Sequence, residues 1–373
     1  SVSRSEVLVA IKTLVAKGAL IYREYAGEYR LWEGSDFDVA EAVNEQKGKL
    51  ATSSLCQLLQ EYLPLSPLIA SRHAFTSGTV RRFERRWVSD EQISDALSPQ
   101  RGFDGLIVYT YGTETELTGV PQKCQDNRPL MITYVPNYST LQELALEVAA
   151  IRAVFEGSPE LSHDGVARKE VRYRIKASEQ LFREYIQQIF SPGAEELQWY
   201  GNGERLEIKS NKDLSSHLSD VCDQVYNKCP VIGNEMISYE NLSSAVAKAR
   251  RELIEAMTLN SGEWQLGLSG YGPEVAIYRT LLAATHLHAG DDENGWQLNL
   301  DYSDPRLEAL WQEIGQVIHN SGEKGCTVQT LLEHLQAPPF GMRLGPAPIY
   351  VCLYILVKSE EIAIFREGSY LPY

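Results

Sequence analysis

The two ends of the chain echo each other, and the echo limits what either end can fold into. Near the start, a run from Arg4 to Lys17 leads into Ala19-Leu-Ile-Tyr-Arg-Glu-Tyr-Ala-Gly-Glu-Tyr-Arg-Leu-Trp32. Near the end, an apolar run leads into Ile362-Ala-Ile-Phe-Arg-Glu-Gly-Ser-Tyr-Leu371. Val7, Leu8, Ile11, Leu14 and Val15 recur with the period of one helical face. Lys17-Gly18 then supplies a basic last turn and a glycine stop. In both places the following residues alternate apolar and polar around a glycine, as a two-stranded hairpin requires.

Helix, strand, turn and strand make the back half of a winged helix. Only three residues precede Arg4 and none is an initiator Met, so the first copy is expected to be partial and the chain a piece of something larger. The second copy differs in kind. Asp304-Pro305 offers an N-cap followed by proline in the first turn of a helix, and further helices are expected over 327–336 and 346–358. Within the last of these, Pro348-Ile-Tyr-Val-Cys-Leu-Tyr-Ile-Leu-Val357 is apolar on every side and must be buried. Such a helix cannot lie in a solvated groove, so this copy reads as a packing or interaction module. Ala337-Pro-Pro-Phe-Gly-Met-Arg-Leu-Gly-Pro346 reads as the rigid connector before it.

Between the ends the pattern changes twice. After the turn Glu33–Asp38, one helix is expected to run to about Tyr62, closed by Pro64 and Pro67. Gly102–Tyr111 and Pro129–Pro136 are short, apolar, β-branched runs, hence buried strands, separated by the polar loop 112–127. Ser139-Thr-Leu-Gln142 has the spacing of a capping box and opens an Ala/Leu-rich helix to Phe155. From Ser158 on, helices are expected over 165–190, 212–227, 239–260 and 273–288, interrupted by a strand-like island at 197–208. The whole reads as mixed α/β, predominantly α. Its expected parts are a partial winged helix and following helix (1–66), a small α/β layer (67–157), a helical region (158–303) and a C-terminal winged-helix-like module (304–373).

The charge is split along the chain. The net value of −15 argues against wholesale nucleic-acid binding. Residues 1–88, however, carry 12 Lys/Arg against 10 Asp/Glu, and the remaining 285 residues carry 23 against 40. Any DNA contact is therefore expected in the first quarter, and a basic protein partner on the acidic remainder. In the first module Arg4, Lys12 and Lys17 lie on the polar helix face and Arg23 and Arg30 on the wing, where cations reach phosphates. Glu6, Glu24 and Glu28 dilute that field, and winged helices also serve as protein-packing modules. Arg81-Arg-Phe-Glu-Arg-Arg-Trp87 is the densest basic cluster, and cations beside aromatic rings suit single-stranded nucleic acid. Arg81, Arg82, Arg85 and Arg86 are its candidates. As a strand, Arg81, Phe83, Arg85 and Trp87 share a face; as a helix, Val80, Phe83 and Trp87 form an apolar stripe; in either case the arginines have abundant carboxylates to pair with.

Enzyme signatures are missing, so the chain reads as non-catalytic, with no cofactor or metal. Gly322-Glu-Lys-Gly325 is not a phosphate loop, and Gly267-Leu-Ser-Gly-Tyr-Gly272 follows no convincing strand. Glu207-Ile-Lys209 matches the Glu-x-Lys element of metal-dependent nucleases, but the nearest preceding aspartate, Asp164, lies across a long helix. A cryptic hydrolase or nuclease requires Glu207 and Lys209 to converge with other carboxylates. His286 and His288, two positions apart, would not share a helix face, and Cys222 and Cys229 lack further ligands for zinc. Six cysteines without a scaffold pattern read as reduced thiols of a cytoplasmic protein. No apolar run reaches the roughly 18 residues of a membrane span.

Tyr29-Arg-Leu-Trp-Glu-Gly-Ser-Asp36, Pro230-Val-Ile-Gly-Asn-Glu-Met-Ile237 and Ala337-Pro-Pro-Phe-Gly341 resemble stretches downstream of the ATPase core in large bacterial phage-defence P-loop ATPases, those of BREX-type systems and their relatives. The resemblance implies a scaffold or a partner- or nucleic-acid-binding portion of such a protein, joined to the rest of a larger polypeptide or complex. Any ATPase activity would then reside upstream, and none of the family's nucleotide-binding residues has a matching position here. The alternative is a winged-helix transcriptional or regulatory protein whose α/β layer senses a ligand.

Overall fold

The computed structural model describes residues 4–17, 19–23, 27–31, 37–51, 53–93, 97–113, 115–162, 164–291, 293–300 and 302–371. The fold is mixed α/β, with twelve α-helices among the described residues. Helix α1 (Arg4–Ala16) leads into the hairpin β1 (Leu20–Arg23) and β2 (Glu28–Leu31), with Tyr22 opposite Tyr29. Most of the apolar face of α1 stays uncovered: Val7, Leu8, Leu14 and Val15 are 40–51% exposed, and Ile11 is half-buried.

The expected single helix to Tyr62 is two helices, α2 (Val39–Leu50) and α3 (Leu55–Tyr62). Asp38 caps α2, accepting from the amides of Ala40 and Glu41 at 2.9 Å. Ser54 takes the extended N-cap conformation of α3, a position serine prefers to a helix interior. The break lets each helix bury its own face. Val43 of α2 joins a core with Ile151, Val154 and Val171, while Leu55, Leu58 and Leu59 of α3 enter the main sheet core. The boundary expected at residue 66 therefore cuts through packed contacts.

That sheet contains six strands in sequential order: β3 (Leu68–Ile69), β4 (Arg82–Trp87), β5 (Gly105–Tyr111), β6 (Leu130–Val135), β7 (Gln198–Gly201) and β8 (Glu204–Leu206). Strands β4, β5 and β6 run parallel, β3 and β7 flank them antiparallel, and β8 pairs antiparallel with β7 and so runs in the direction of the central three. Helix α4 (Ser71–Ser77) links β3 to β4, and α5 (Ser139–Gly157) with α6 (Gly165–Ile189) fills the connection to β7. Helix α7 (Asn211–Val225) follows β8.

The central strands are apolar on both faces because both are covered. Phe83, Trp87, Ile107, Tyr109 and Met131 pack with residues of α3, α5, α6 and α7. Leu106, Val108, Leu130 and Ile132 pack with Ile93 and Cys124 of the connecting loops. The island at 197–208 is thus part of the sheet, and residues 158–226 belong to the α/β layer, not to a helical region. The capping box at Ser139 is not formed. Tyr138 holds the N-cap position, and the Ser139 hydroxyl instead donates to Asn137 Oδ1 at 3.2 Å.

A second core begins at Cys229. It contains α8 (Ser244–Leu259), α9 (Pro273–Tyr278), α10 (Pro305–Ser321), α11 (Val328–Gln336) and α12 (Ala347–Val357). Asp304 caps α10, accepting from the Arg306 amide at 2.8 Å. Ile349, Tyr350, Val351 and Leu353 of α12 are buried, as an all-apolar helix demands. The helix expected to reach His288 ends earlier. After a π turn at Arg279–Ala283 the chain reverses at His286 and enters the hairpin β9 (His288–Asp291) and β10 (Gly295–Leu298). A last hairpin, β11 (Ile364–Arg366) and β12 (Ser369–Leu371), places Phe365 opposite Tyr370.

Candidate functional site

The nine candidate cations have different fates. Arg4 and Lys12 of α1, and Lys17 just past its end, are exposed. Arg23 pairs in register with Glu28, and its side chain lies outside the described residues. Arg30 is half-buried: its Nε donates to Glu28 Oε1 at 2.6 Å, and its guanidinium lies 4.8 Å above the Tyr173 ring of α6. Residues 82–87 of the run form β4, so they alternate between faces, and Arg81 stands just before it. Arg82 is exposed, 5.5 Å above the Phe103 ring. Arg85 donates to Tyr109 OH at 3.0 Å and to the Ser66 carbonyl at 3.3 Å. Arg86 donates twice to Glu84 Oε1, at 2.9 and 2.8 Å, and to the Ser98 carbonyl.

Arg81 has to be removed from the nucleic-acid set. It is 0% exposed and cannot reach a phosphate. Its Nη1 donates to Asp104 Oδ1 at 2.9 Å and to the Gly341 carbonyl at 2.5 Å, and its Nη2 to the Phe340 carbonyl at 3.3 Å. The same guanidinium lies 4.0 Å from the centre of the Tyr226 ring. Asp104 is 4% exposed, and its second oxygen accepts from Arg343 Nη2 at 2.6 Å and from the Arg82 amide at 2.8 Å. Tyr226 OH donates to the Asp104 carbonyl at 2.5 Å, and Arg343 Nη2 also donates to the Val80 carbonyl. Burial alone would push the Asp104 carboxyl up, but Arg343 and Arg81 outweigh it and hold it below the usual carboxylate range.

This knot joins the two cores. Asp104 precedes β5 of the sheet, whereas Phe340, Gly341 and Arg343 belong to the segment before α12. A carboxylate saturated by two guanidinium groups and an amide is a poor base but a firm clamp. The segment 337–346, read from sequence as a connector only, supplies one jaw. Sequence reasoning missed Asp104, Arg343 and Tyr226; the one signal for them was the excess of arginine at 81–86.

Beside the knot, His73 Nδ1 sits 2.6 Å from Asp223 Oδ1, and Arg72 Nη2 donates to Asp220 and Asp223 at 2.9 and 2.6 Å. His217 lines a crevice with Lys123, Asn127 and Asn202 that has room for about one water molecule. His288 is satisfied by Tyr278 OH at 2.8 Å and by the Ser261 carbonyl at 3.0 Å. Burial lowers all three histidines from the ordinary 6.5, against weaker upward pulls from Asp223, Asp220 and the Ser261 carbonyl respectively. The unfolded chain therefore binds protons near pH 6.5 that the folded chain refuses, so folding weakens as pH falls below that value. The melting temperature should drop from pH 7.5 to pH 5.5. A melting temperature that is flat or rising over that interval in a thermal scan would contradict these burials.

Glu207 and Lys209 pair with each other at 2.9 Å, both strongly exposed. Among the described residues no three His, Cys, Asp or Glu side chains come together as a metal site. Burial pushes the Cys222 thiol up to about 12, far from thiolate reactivity at neutral pH. No described helix is long and apolar enough to cross a membrane. Comparison with models of known protein families, with curated proteins and with solved structures gives no match.

Proposed function

We propose that this chain is a non-catalytic scaffold and partner-binding portion of a larger bacterial phage-defence ATPase, with its N-terminal helix and hairpin as the nucleic-acid contact. The observation that carries the reading is the uncovered apolar face of α1, bordered by the exposed cations Arg4, Lys12 and Lys17. A helix with that face is built to pack against other helices, while its polar side remains open to a phosphate backbone.

The terminal echo supports treating both ends as winged-helix modules. Each hairpin carries an exposed cross-strand aromatic pair, Tyr22 with Tyr29 and Phe365 with Tyr370, at ring separations of 4.7 and 5.9 Å. In both, isoleucine precedes the first aromatic and arginine follows it. The modules differ in cover. Helix α12 is packed by α10 and α11, whereas α1 presents the corresponding surface to solvent.

Fluorescence anisotropy with duplex and single-stranded DNA over a salt series tests the contact. Binding should be present at low salt and decline as salt rises. Charge reversal of Arg4, Lys12 and Lys17 to glutamate should abolish it. Absence of binding at low salt, or indifference to those substitutions, would remove DNA from the proposal.

A further inference from the structure

The cations outside the first quarter of the chain are not spread evenly. Residues 165–176 hold Arg168, Lys169, Arg172, Arg174 and Lys176 against one acid, Glu170, in a stretch of chain that is otherwise acidic. They form the first half of α6. Arg174 is committed to Glu147, its Nη2 donating to Oε1 at 2.7 Å. Arg168, Lys169, Arg172 and Lys176 are exposed, and among the described residues no carboxylate pairs with any of the four. Their spacing puts them on one stripe: Arg168, Arg172 and Lys176 stand four apart, and Lys169 lies three before Arg172. The stripe does nothing for the helix itself. Like charges four apart weaken it, and Arg168 and Lys169 stand at the end of its first turn, where the helix dipole favours acids.

Aromatic rings border the stripe on both sides. The guanidinium groups of Arg168 and Arg172 lie 5.7 and 5.5 Å from the centre of the Phe155 ring, at the end of α5. On the other side Tyr173 comes four after Lys169 and three before Lys176, so both lysines are its neighbours on the helix surface. Arg30 of the N-terminal hairpin lies over that same ring at 4.8 Å, which seats the wing beside the stripe. The neighbouring carboxylates are engaged elsewhere: Glu28 by Arg30, Glu147 by Arg174 and Lys47, Glu179 by Arg152, and Asp164 by the amides of Val166 and Ala167. Glu170 is half-buried, and Glu156, next to Phe155, is exposed, one carboxylate against four cations.

We infer that the first half of α6 is a second phosphate-backbone contact for duplex DNA, beside the wing. Arg168 to Lys176 span about 12 Å of helix, a length over which a duplex presents about seven phosphate charges. A membrane surface fits less well, because the apolar face of α6, with Val171, Phe182 and Ile186, is buried and cannot insert. The inference rests on reading the N-terminal module as a nucleic-acid contact, and it places a second part of that contact outside the first quarter of the chain.

The test uses the full chain and a fluorescein-labelled DNA duplex of mixed sequence, followed by anisotropy over a salt series. Arg168→Gln, Lys169→Gln, Arg172→Gln and Lys176→Gln together should weaken binding about tenfold or more at low salt and lower the slope of log affinity against log salt by about three. All four side chains are exposed, so an unchanged thermal transition is expected. Lys209→Gln, Lys212→Gln, Lys248→Gln and Lys324→Gln remove equal charge from exposed positions elsewhere and should leave binding within about twofold. Arg168→Lys with Arg172→Lys keeps the charge and should keep most of the affinity, which a merely structural role on Phe155 would not allow. Unchanged affinity and slope in the α6 variant, or an equal loss in the control, overturns the inference. Equal binding of a polyglutamate peptide or of phosphatidylserine vesicles, lost in the same variant, overturns it as well, since the stripe would then take any anion. If the α6 variant loses nothing while charge reversal of Arg4, Lys12 and Lys17 abolishes binding, the N-terminal contact stands and this one falls. The reverse pattern leaves α6 standing alone, and absence of DNA binding at low salt removes both.

Discussion

Asp104→Asn should destabilise the protein by about 3–5 kcal/mol, because it strands two buried guanidinium groups without a counter-charge. The substitution keeps the shape and nearly the volume of the side chain, so packing changes little and the loss reports on charge. Arg81 is 0% exposed and Arg343 is 12% exposed, so water cannot take over the carboxylate's role. Urea unfolding should show the midpoint falling sharply. A double-mutant cycle with Arg343→Met separates the pair from its surroundings: once Arg343 is gone, the added cost of Asp104→Asn should shrink, since one fewer charge is stranded. The cost should also be felt by both cores, because the knot ties the start of β5 to the segment before α12. A loss below about 1 kcal/mol would place the knot among ion pairs of little weight, the usual fate of exposed ones.

How much of this was legible in the sequence depended on how local each signal is. The period of Val7, Leu8, Ile11, Leu14 and Val15 specified α1, because a helical face is written within a few turns. It could not say whether anything covers that face. The strands at 105–111 and 130–135 were legible from β-branched, apolar composition, and the all-apolar 348–357 segment had to be buried wherever it went. The island at 197–208 read as strand, yet its place in the sheet did not, since pairing with β6 is made across the whole α5–α6 excursion. The break between α2 and α3 was missed because a pair of serines is tolerated inside helices and becomes a cap only when tertiary contacts favour it.

The candidate site shows the same limit more sharply. Arg81, Arg82, Arg85 and Arg86 look alike along the chain. Strand alternation separates them into two faces, but only partners far away decide their roles. Arg81 is fixed by Asp104, 23 positions on, and by the Gly341 carbonyl, 260 positions on. Asp104 is in turn closed by Arg343 across 239 positions. No window of sequence contains that information, so the arginine with the least access to a ligand was grouped with the most exposed one.

Gly78→Ala should be the second severe substitution, at about 3 kcal/mol or more, and its cause is separable from backbone preference. Gly78 ends α4 at φ 68°, where its amide donates to the Ala74 carbonyl at 3.0 Å. A Cβ there would lie 1.9 Å from the Ile232 carbonyl oxygen and 2.8 Å from its carbon. The obstacle is backbone and cannot rotate away. It is also held in place, since the Ile232 amide donates to the Ser77 carbonyl at 3.1 Å. The left-handed conformation alone costs an alanine about 1–2 kcal/mol, and forcing atoms into an occupied site adds about 1–3 kcal/mol. Gly119 provides the control, because it has nearly the same φ, 67°, and nothing within 4 Å of an added Cβ. Gly119→Ala should show the conformational cost only, about 1 kcal/mol. The gap between the two variants in urea unfolding therefore measures how tightly α4 is pressed against the segment that opens the second core. If Gly78→Ala proved no worse than Gly119→Ala, that contact would have to be loose, and the two cores would be joined by the Arg81–Asp104–Arg343 knot with little help from α4.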